Sequence, residues 1–356
     1  MNFSFEIPAV FDAGVSPEDG DGVPVRLSER VKAGARALCA ASPRAAAAMR
    51  AAEREIPAGG TLLPSGISLD APGEHDFDYL CAVYREQIGA YAAAGADFLL
   101  LDRQTSLADL RACLLSARGK NIPVLAGMSV TRGTEEEEDA FLAALITLQA
   151  MGVSAIGLCG RPGRAMLSAV RRAAPHASVP LFAVADTADG QTPEEFAEAC
   201  RPVFAAGVRL AGCGRGASPE HIAALAEAIQ KYGPPEIPEE PDCFAAATER
   251  EAFFLGDDME FSKPLPCSAS LVDRLIDLED ERVGAALVQI DSIDDAVLLG
   301  QCAPMSKLPI AVRADSPTVL DAALRYFQGR LIIDSRSCVE REVLAPLAAK
   351  YGAIIC

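Results

Sequence analysis

One short pattern recurs four times in this sequence: an alanine-rich helical segment ends at a glycine, and an apolar run of β type follows directly. The copies are KAGARAL (32–38), AAGADFL (93–99), MGVSAIGL (151–158) and AAGVRLAG (205–212). A glycine just past a helix end adopts the left-handed conformation that turns the chain back into a strand. Repeated helix–glycine–strand units bury a parallel sheet beneath helices. The repeat therefore predicts an α/β fold.

Eight apolar runs have the composition of buried strands, and helices are predicted between them. The strands are expected near 8–13, 35–40, 59–64, 97–102, 122–129, 154–159, 179–185 and 208–213. The helices are expected near 43–55, 77–94, 106–118, 135–151, 163–173, 192–206 and 218–231. Thr192, Pro193 and Glu195 have the pattern of a capping box. Eight such units predict a (β/α)8 TIM barrel with a short first connection.

In such a barrel the reacting groups lie at the C-terminal ends of the strands. The residues at these ends are Asp12, Pro64, Asp102, Ser129, Cys159, Asp186 and Cys213. Asp12 and Asp102 would face one cavity, where two carboxylates bind an ammonium group or act as acid and base. Because Arg103 follows Asp102, an ordinary ion pair at the rim is the alternative. Ser129 is a further candidate for substrate contact.

Two of these strand ends carry a thiol, Cys159 and Cys213. Thiolates from two strands of one barrel can converge on zinc, which prefers sulfur and nitrogen ligands in a tetrahedral arrangement. The alternative is that both are small buried hydrophobic residues, as most free cysteines are. Spacing alone does not decide between the two readings.

The bend that follows the eighth strand, Gly212–Gly216, precedes a helix predicted to begin at Pro219 with Ser218 as its N-cap. Backbone N–H groups at a helix N-terminus bind anions, and Arg215 would add the donors of a guanidinium group. The bend therefore predicts a site for a phosphate or another anionic ligand. A tight turn that needs glycine for backbone reasons is the alternative.

Beyond the predicted barrel of residues 1–231, the segment 232–242 is rich in proline and glutamate, which predicts a stiff linker. A hairpin or irregular entry segment is expected next, around 247–265. Three strand–helix units and a terminal strand, AIIC, then predict a small parallel α/β domain over 243–356.

Composition excludes several classes of function. The net charge of −18 argues against sequence-independent binding to nucleic acid or to an anionic membrane. The N-terminus lacks the basic-then-apolar order of a signal peptide, and no long apolar run predicts a transmembrane helix. The eleven cysteines are scattered through apolar runs, which is typical of reduced thiols in a cytoplasmic protein.

Five stretches of the first 230 residues resemble a known family, the homocysteine S-methyltransferase barrel that begins cobalamin-dependent methionine synthases. They are VFDAG (10–14), GTLLPSG (60–66), YREQIGAYAAAGADFLLLDRQTSLADLRA (84–112), SAIGLCG (154–160) and GVRLAGCGRGASPEHIAAL (207–225). The C-terminal residues 308–355 look like the connecting region of clostridial-type methionine synthases.

The resemblance implies a zinc ion held by three cysteine thiolates, one after the sixth strand and two adjacent after the eighth. Such a zinc binds the homocysteine sulfur as a thiolate, which then attacks a methyl group. Cys159 matches the sixth-strand ligand. Without a gap, Gly214 and Arg215 occupy the two adjacent cysteine positions, and Cys213 replaces one only if the loop is shifted by a residue. The zinc motif is degenerate, with Cys159 and Cys213 as its candidate ligands.

The function that the resemblance implies is methyl transfer from a corrinoid, folate or sulfonium donor to the homocysteine thiol, with Asp12 and Asp102 on the ammonium group. The sequence has no Asp-x-His-x-x-Gly motif for cobalamin, so the donor is expected either to come from a separate corrinoid or folate protein or to be a small sulfonium compound. Two alternatives stay open. The first is a non-catalytic scaffold for a corrinoid methyltransferase system, and the second is a barrel that binds an anionic ligand at Gly212–Gly216 with Arg215.

Overall fold

The first eight strands close into a parallel barrel in sequential order. The computed structural model describes residues 9–15, 23–69, 76–232, 240–256, 259–281 and 283–356. The barrel strands are β1 (Ala9–Val15), β2 (Ala37–Ala40), β3 (Ala58–Leu62), β4 (Phe98–Gln104), β5 (Val124–Ser129), β6 (Ala155–Gly160), β7 (Leu181–Ala185) and β8 (Val208–Cys213). The predicted (β/α)8 barrel is confirmed, and so are its eight strands.

Eight helices surround the barrel. They are α1 (Val23–Lys32), α2 (Pro43–Ala52), α3 (Phe77–Ala93), α4 (Leu107–Ala117), α5 (Glu135–Met151), α6 (Arg164–Ala173), α7 (Pro193–Ala205) and α8 (Pro219–Tyr232). The capping box at α7 is confirmed, because the side chains of Thr192 and Glu195 each bond the other's backbone N–H.

The prediction of a short first connection is wrong, because α1 occupies part of it. Its sequence, VPVRLSERVK, places a proline in the first helical turn, where proline is tolerated although the same residue usually indicates a loop. Leu27 of this helix is buried, and Arg30 forms an ion pair with Asp12 of β1.

Side chains inside the barrel alternate with side chains that face the helices. The interior cluster includes Phe11, Phe98 and Phe182. Space for these rings comes from glycine on the neighbouring strand: a Cβ on Gly157 would lie 2.5 Å from the Phe182 ring. Side chains therefore fill the interior of the barrel, and a ligand can bind only at the mouth above them.

The C-terminal residues form a second parallel sheet with its strands again in sequential order. Its strands are β11 (Leu265–Pro266), β12 (Ala286–Gln289), β13 (Ile310–Arg313), β14 (Ile332–Ile333) and β15 (Ile354–Ile355), with helices α9 (Leu271–Glu279), α10 (Ile293–Cys302), α11 (Pro317–Tyr326) and α12 (Arg341–Tyr351). The three predicted strand–helix units are confirmed, and the terminal strand β15 pairs with β14 in parallel. The strand β11 and the helix α9 were not predicted.

An antiparallel hairpin, β9 (Ala245–Ala247) with β10 (Ala252–Phe254), lies between the two sheets in the sequence. The predicted entry segment does contain one strand of this hairpin. Most of the predicted linker falls on residues 233–239, outside the described residues. Among the helices that the structure describes, none is both long and apolar enough to cross a membrane.

The second sheet packs against the side of the barrel through a fully buried arginine of α4. The guanidinium of Arg111 donates to the backbone carbonyl of Leu324 at 2.8 Å and to the side chain of Gln328 at 2.7 Å. It also lies 5.4 Å from the centre of the Phe77 ring. The carbonyl of Leu324, and that of Arg325, to which Arg111 also donates at 3.3 Å, belong to the last turn of α11, where a cation is favourable. The C-terminal domain is thus attached away from the barrel mouth.

Candidate active site

The two predicted zinc ligands lie on opposite faces of the barrel wall. Cys159 belongs to the cluster inside the barrel, with Phe182 and Val184. Cys213 belongs to the layer between the barrel and its helices, with Ile222. Because successive residues of a strand face opposite sides, each thiol is fixed on its own face. The structure does not bring the sulfurs of Cys159 and Cys213 together.

Asp12 is also on the helix side of the wall. Its neighbour Phe11 fills the barrel interior, and Asp12 is paired in register with Cys213 of β8. The fully buried Asp12 carboxylate forms an ion pair with Arg30 of α1. Within the described residues, the strand alternation places Asp12 and Asp102 on different faces of the wall, and their expected joint role in substrate binding stays a prediction.

Asp102 lies at the mouth, inside the ring of strand ends. Its carboxylate is next to the Cys159 thiol and raises the pKa of that thiol, in addition to the larger effect of burial. The residue is 7% exposed, and its Oδ1 atom is buried without a hydrogen-bond partner. Its other oxygen, Oδ2, lies 3.2 Å from Nε of Arg103. Asp102 thus keeps one buried carboxylate oxygen without a hydrogen-bond partner, next to the Cys159 thiol.

A local backbone irregularity lets Arg103 reach the mouth as well. Its φ is 56°, in the left-handed region that few residues other than glycine adopt, and the pairing of β4 with β5 shifts register between Leu101 and Gln104. The cost of such a conformation is about 1–2 kcal/mol. It turns two consecutive side chains, Asp102 and Arg103, towards the same end of the barrel.

Arg103 crosses to the end of β7 and holds Asp186 with two hydrogen bonds. The distances are 2.8 Å from Nη1 to Oδ2 and 2.7 Å from Nη2 to Oδ1. The backbone N–H of Arg215 donates to the same Oδ1 atom at 2.7 Å. Both side chains of the pair are only 15% exposed. The predicted rim ion pair of Arg103 with Asp102 exists, but the bidentate partner is Asp186.

The glycine bend uses its own N–H groups internally. Gly214 donates to the carbonyl of Ala185 at 2.7 Å, and Arg215 donates to Asp186. These two N–H groups are therefore not free to cradle a phosphate. The exposed Arg215 side chain instead lines an open cleft of about 450 Å³ with Arg161, Thr187 and Gln191. Ser129, half-buried, is paired in register with Cys159 on the neighbouring strand.

The described residues do not fit a zinc ion at this mouth. Catalytic zinc takes three protein ligands, and of the candidate pair only Cys159 faces the interior. Across the described part of the chain, no group of three His, Cys, Asp or Glu side chains is placed to hold a metal ion.

Comparison with known proteins shows that the sequence matches a family model. The model of the homocysteine S-methyltransferase family matches residues 14–229. The chain belongs to the homocysteine S-methyltransferase family. The family that the sequence motifs resemble is therefore confirmed.

Among curated relatives, the methionine synthases of Mycobacterium tuberculosis and Mycobacterium leprae are each 26% identical to the chain. The matches cover 76% of this chain and 26% of each relative, so the chain spans about a quarter of their length. Among solved structures, the apo homocysteine methyltransferase MmuM from Escherichia coli is 17% identical, with a TM-score of 0.49. That match covers 62% of this chain and 95% of MmuM.

Two residues of the site were given no functional role from the sequence. Asp186 was recognised only as a strand end, and Arg103 only as a neighbour of Asp102. A signal was available, because an arginine directly after a strand-end acid in a barrel is placed at the rim. Which acid on another strand pairs with this arginine depends on the backbone conformation at Arg103, and no local sequence pattern predicts that conformation.

We expect Cys159 to resist alkylation in the folded protein. Burial and Asp102 raise its pKa well above the usual thiol value, so the reactive thiolate stays rare as pH is increased from about 7 to 9. The internal control is Cys338, whose pKa is also raised by a hydrogen bond with Asp315 but whose side chain is exposed to the reagent. A pulse of N-ethylmaleimide followed by peptide mass mapping should label Cys338 at least about 10-fold faster. Equal labelling rates would contradict the burial and charge environment described for Cys159.

Proposed function

We propose that this chain binds an amino-acid thiol of the homocysteine class at the barrel mouth, and that the bound sulfur accepts a methyl group. The observation that carries the proposal is the free Oδ1 atom of Asp102, buried at the mouth of a barrel of this family. A buried carboxylate oxygen without a donor costs free energy until a ligand supplies one. The ammonium group of an amino acid is such a donor, and it also neutralises the charge.

The transfer itself needs the substrate thiol to lose its proton, because the thiolate is the nucleophile. The sulfur then forms a bond to the methyl carbon while the donor's bond to that carbon breaks. With a sulfonium donor the leaving group is a neutral thioether, and the thiol proton passes to solvent. A corrinoid or folate donor carried by a separate protein would approach the same open mouth.

The wild-type protein tests this proposal in two steps. Isothermal titration with homocysteine should give saturable binding, and the analogue that lacks the amino group should bind about 10-fold or more weakly, since it cannot meet Asp102. Methionine formation is then measured with methylcobalamin, methyltetrahydrofolate and S-methylmethionine. Absence of homocysteine binding would contradict the proposal at its first step.

A second candidate function is a non-catalytic binding partner in a corrinoid methyltransferase system. The observation that favours it is the separation of Cys159 and Cys213 onto opposite faces of the wall. In that case homocysteine binds without turnover from any of the three donors, and a corrinoid protein is retained on the immobilised chain. Turnover with any donor would assign the catalytic function instead.

A further inference from the structure

The space beside Gly214 is already filled by a carboxylate. A Cβ atom built on Gly214 would lie 2.3 Å from Oδ1 of Asp186 and 3.1 Å from Val184. Contacts below about 3 Å are not tolerated between such atoms, so a larger residue at 214 requires Asp186 to move. This position faces the interior, in line with one of the two adjacent cysteines that the family resemblance implies.

The Asp186 carboxylate cannot move easily, because three hydrogen bonds fix it. Two come from the guanidinium of Arg103 and one from the backbone N–H of Arg215. The side chains of Arg103 and Asp186 are each 15% exposed, so water screens their attraction only weakly. A bidentate arginine–carboxylate pair also has a strongly preferred geometry.

The same guanidinium is held next to a second carboxylate. Nε of Arg103 lies 3.2 Å from Oδ2 of Asp102, which is an ion-pair contact without hydrogen-bond geometry, and Oδ1 of Asp102 is buried without a partner. One fixed positive charge therefore lies between two carboxylates at the mouth, where a bound cation would otherwise be needed to keep them together. A guanidinium remains charged at any working pH, and it would repel a divalent metal ion at the same place.

We infer that the Arg103–Asp186 ion pair replaces a bound metal ion as the fixed charge of this barrel mouth, so that the site binds its ligand without a transition metal. Arg103 is a positioning residue, because its guanidinium holds the Asp102 carboxylate in place and supplies the positive charge at the barrel mouth. The inference deepens the proposed function, and it rests on that function only for the identity of the ligand.

Metal content of the wild-type chain gives the first test. The protein is incubated with zinc, dialysed without chelator, and analysed by mass spectrometry of its metals. We expect far less than one equivalent of zinc, and stoichiometric zinc would overturn the inference. Homocysteine titrations with and without EDTA should give the same dissociation constant within about 2-fold, since a change below ~0.4 kcal/mol is close to none. Loss of binding in EDTA would also overturn it.

A double-mutant cycle tests the ion pair without any ligand. Arg103→Met and Asp186→Asn should each lower Tm by about 5 °C or more, because each leaves a partly buried charge unpaired. The double variant should recover part of that loss. Simple additivity of the two losses would overturn the inference. Arg172→Met, which removes a more exposed ion pair with Asp139, is the matched control and should shift Tm by less.

A conservative substitution tests the positioning role of Arg103 separately. Arg103→Lys keeps the positive charge but loses the bidentate geometry, so it should restore most of the Tm lost in Arg103→Met. Its homocysteine affinity should nevertheless be about 5-fold or more below wild type, because Asp102 is no longer oriented. Wild-type affinity in this variant would reject the positioning role. If homocysteine binds to no variant and not to wild type, the proposed function fails, while the zinc analysis and the cycle still decide this inference.

Discussion

Replacement of Asp102 with asparagine is expected to weaken homocysteine binding by about 10- to 100-fold. The amide has nearly the same shape as the carboxylate, but it cannot provide the charge that an ammonium group meets, and hydrogen bonds to charged groups contribute about 1.5–3 kcal/mol. The amide would also turn a donor or a neutral oxygen towards Arg103, whose Nε now faces Oδ2 of Asp102. Isothermal titration of both proteins measures the effect directly.

The analogue without an amino group makes this test specific. Because it has no ammonium group, its affinity should be nearly the same for wild type and for Asp102→Asn. Equal losses for homocysteine and for the analogue would show that Asp102 acts through the fold instead. Asp189→Asn is the control, since Asp189 is an exposed acid on the loop after β7 and lines the neighbouring cleft. It should leave homocysteine affinity unchanged.

The largest effect on stability is expected for Arg111→Met. The side chain is fully buried, and burial lowers its pKa to about 10, so it is still charged at neutral pH. Methionine fills much of the same volume but leaves the carbonyls of Leu324 and Arg325 without their donor. Each buried carbonyl left without a donor costs about 1–3 kcal/mol. Urea unfolding followed by circular dichroism measures the change in free energy.

Arg325→Met is the matched control for this prediction. Its side chain forms ion pairs with Asp78 and Asp321 at the edge of the same interface and is 35% exposed. Its backbone carbonyl, the one that Arg111 uses, is unchanged by the substitution. Exposed ion pairs contribute about 0–1 kcal/mol, so the control should remain close to wild type. A similar loss in both variants would show that the buried contacts of Arg111 are not decisive.

Much of the fold was available from the local sequence. Glycines after helices, caps such as Thr192 and apolar runs of strand length predicted all eight barrel strands, because these signals act within a few residues. The helix α1 was missed for the same reason, since its proline resembles a loop signal at short range. The family resemblance also came from local motifs, and the match over residues 14–229 confirmed it.

The site was less predictable, because its residues come from different strands. Asp102 and Cys159 were expected at strand ends and do lie next to each other. The roles of Asp102, Ser129 and Arg215 in substrate binding stay predictions, whereas the described residues do not fit the zinc ion expected at Cys159. The inward or outward direction of each end residue depends on the register of the closed barrel. A shift of one residue moves a side chain to the other face of the wall.

The sequence by itself determined the barrel, the family and the set of polar residues at the strand ends. Only the tertiary structure decided which of them meet. It placed Cys213 and Asp12 towards the helices, and it turned Arg103 inwards through a left-handed backbone conformation. The physical reason is that side-chain direction alternates along a strand and that ion pairs such as Arg103–Asp186 join residues far apart in sequence. Neither property can be derived from the local pattern around any one of these residues.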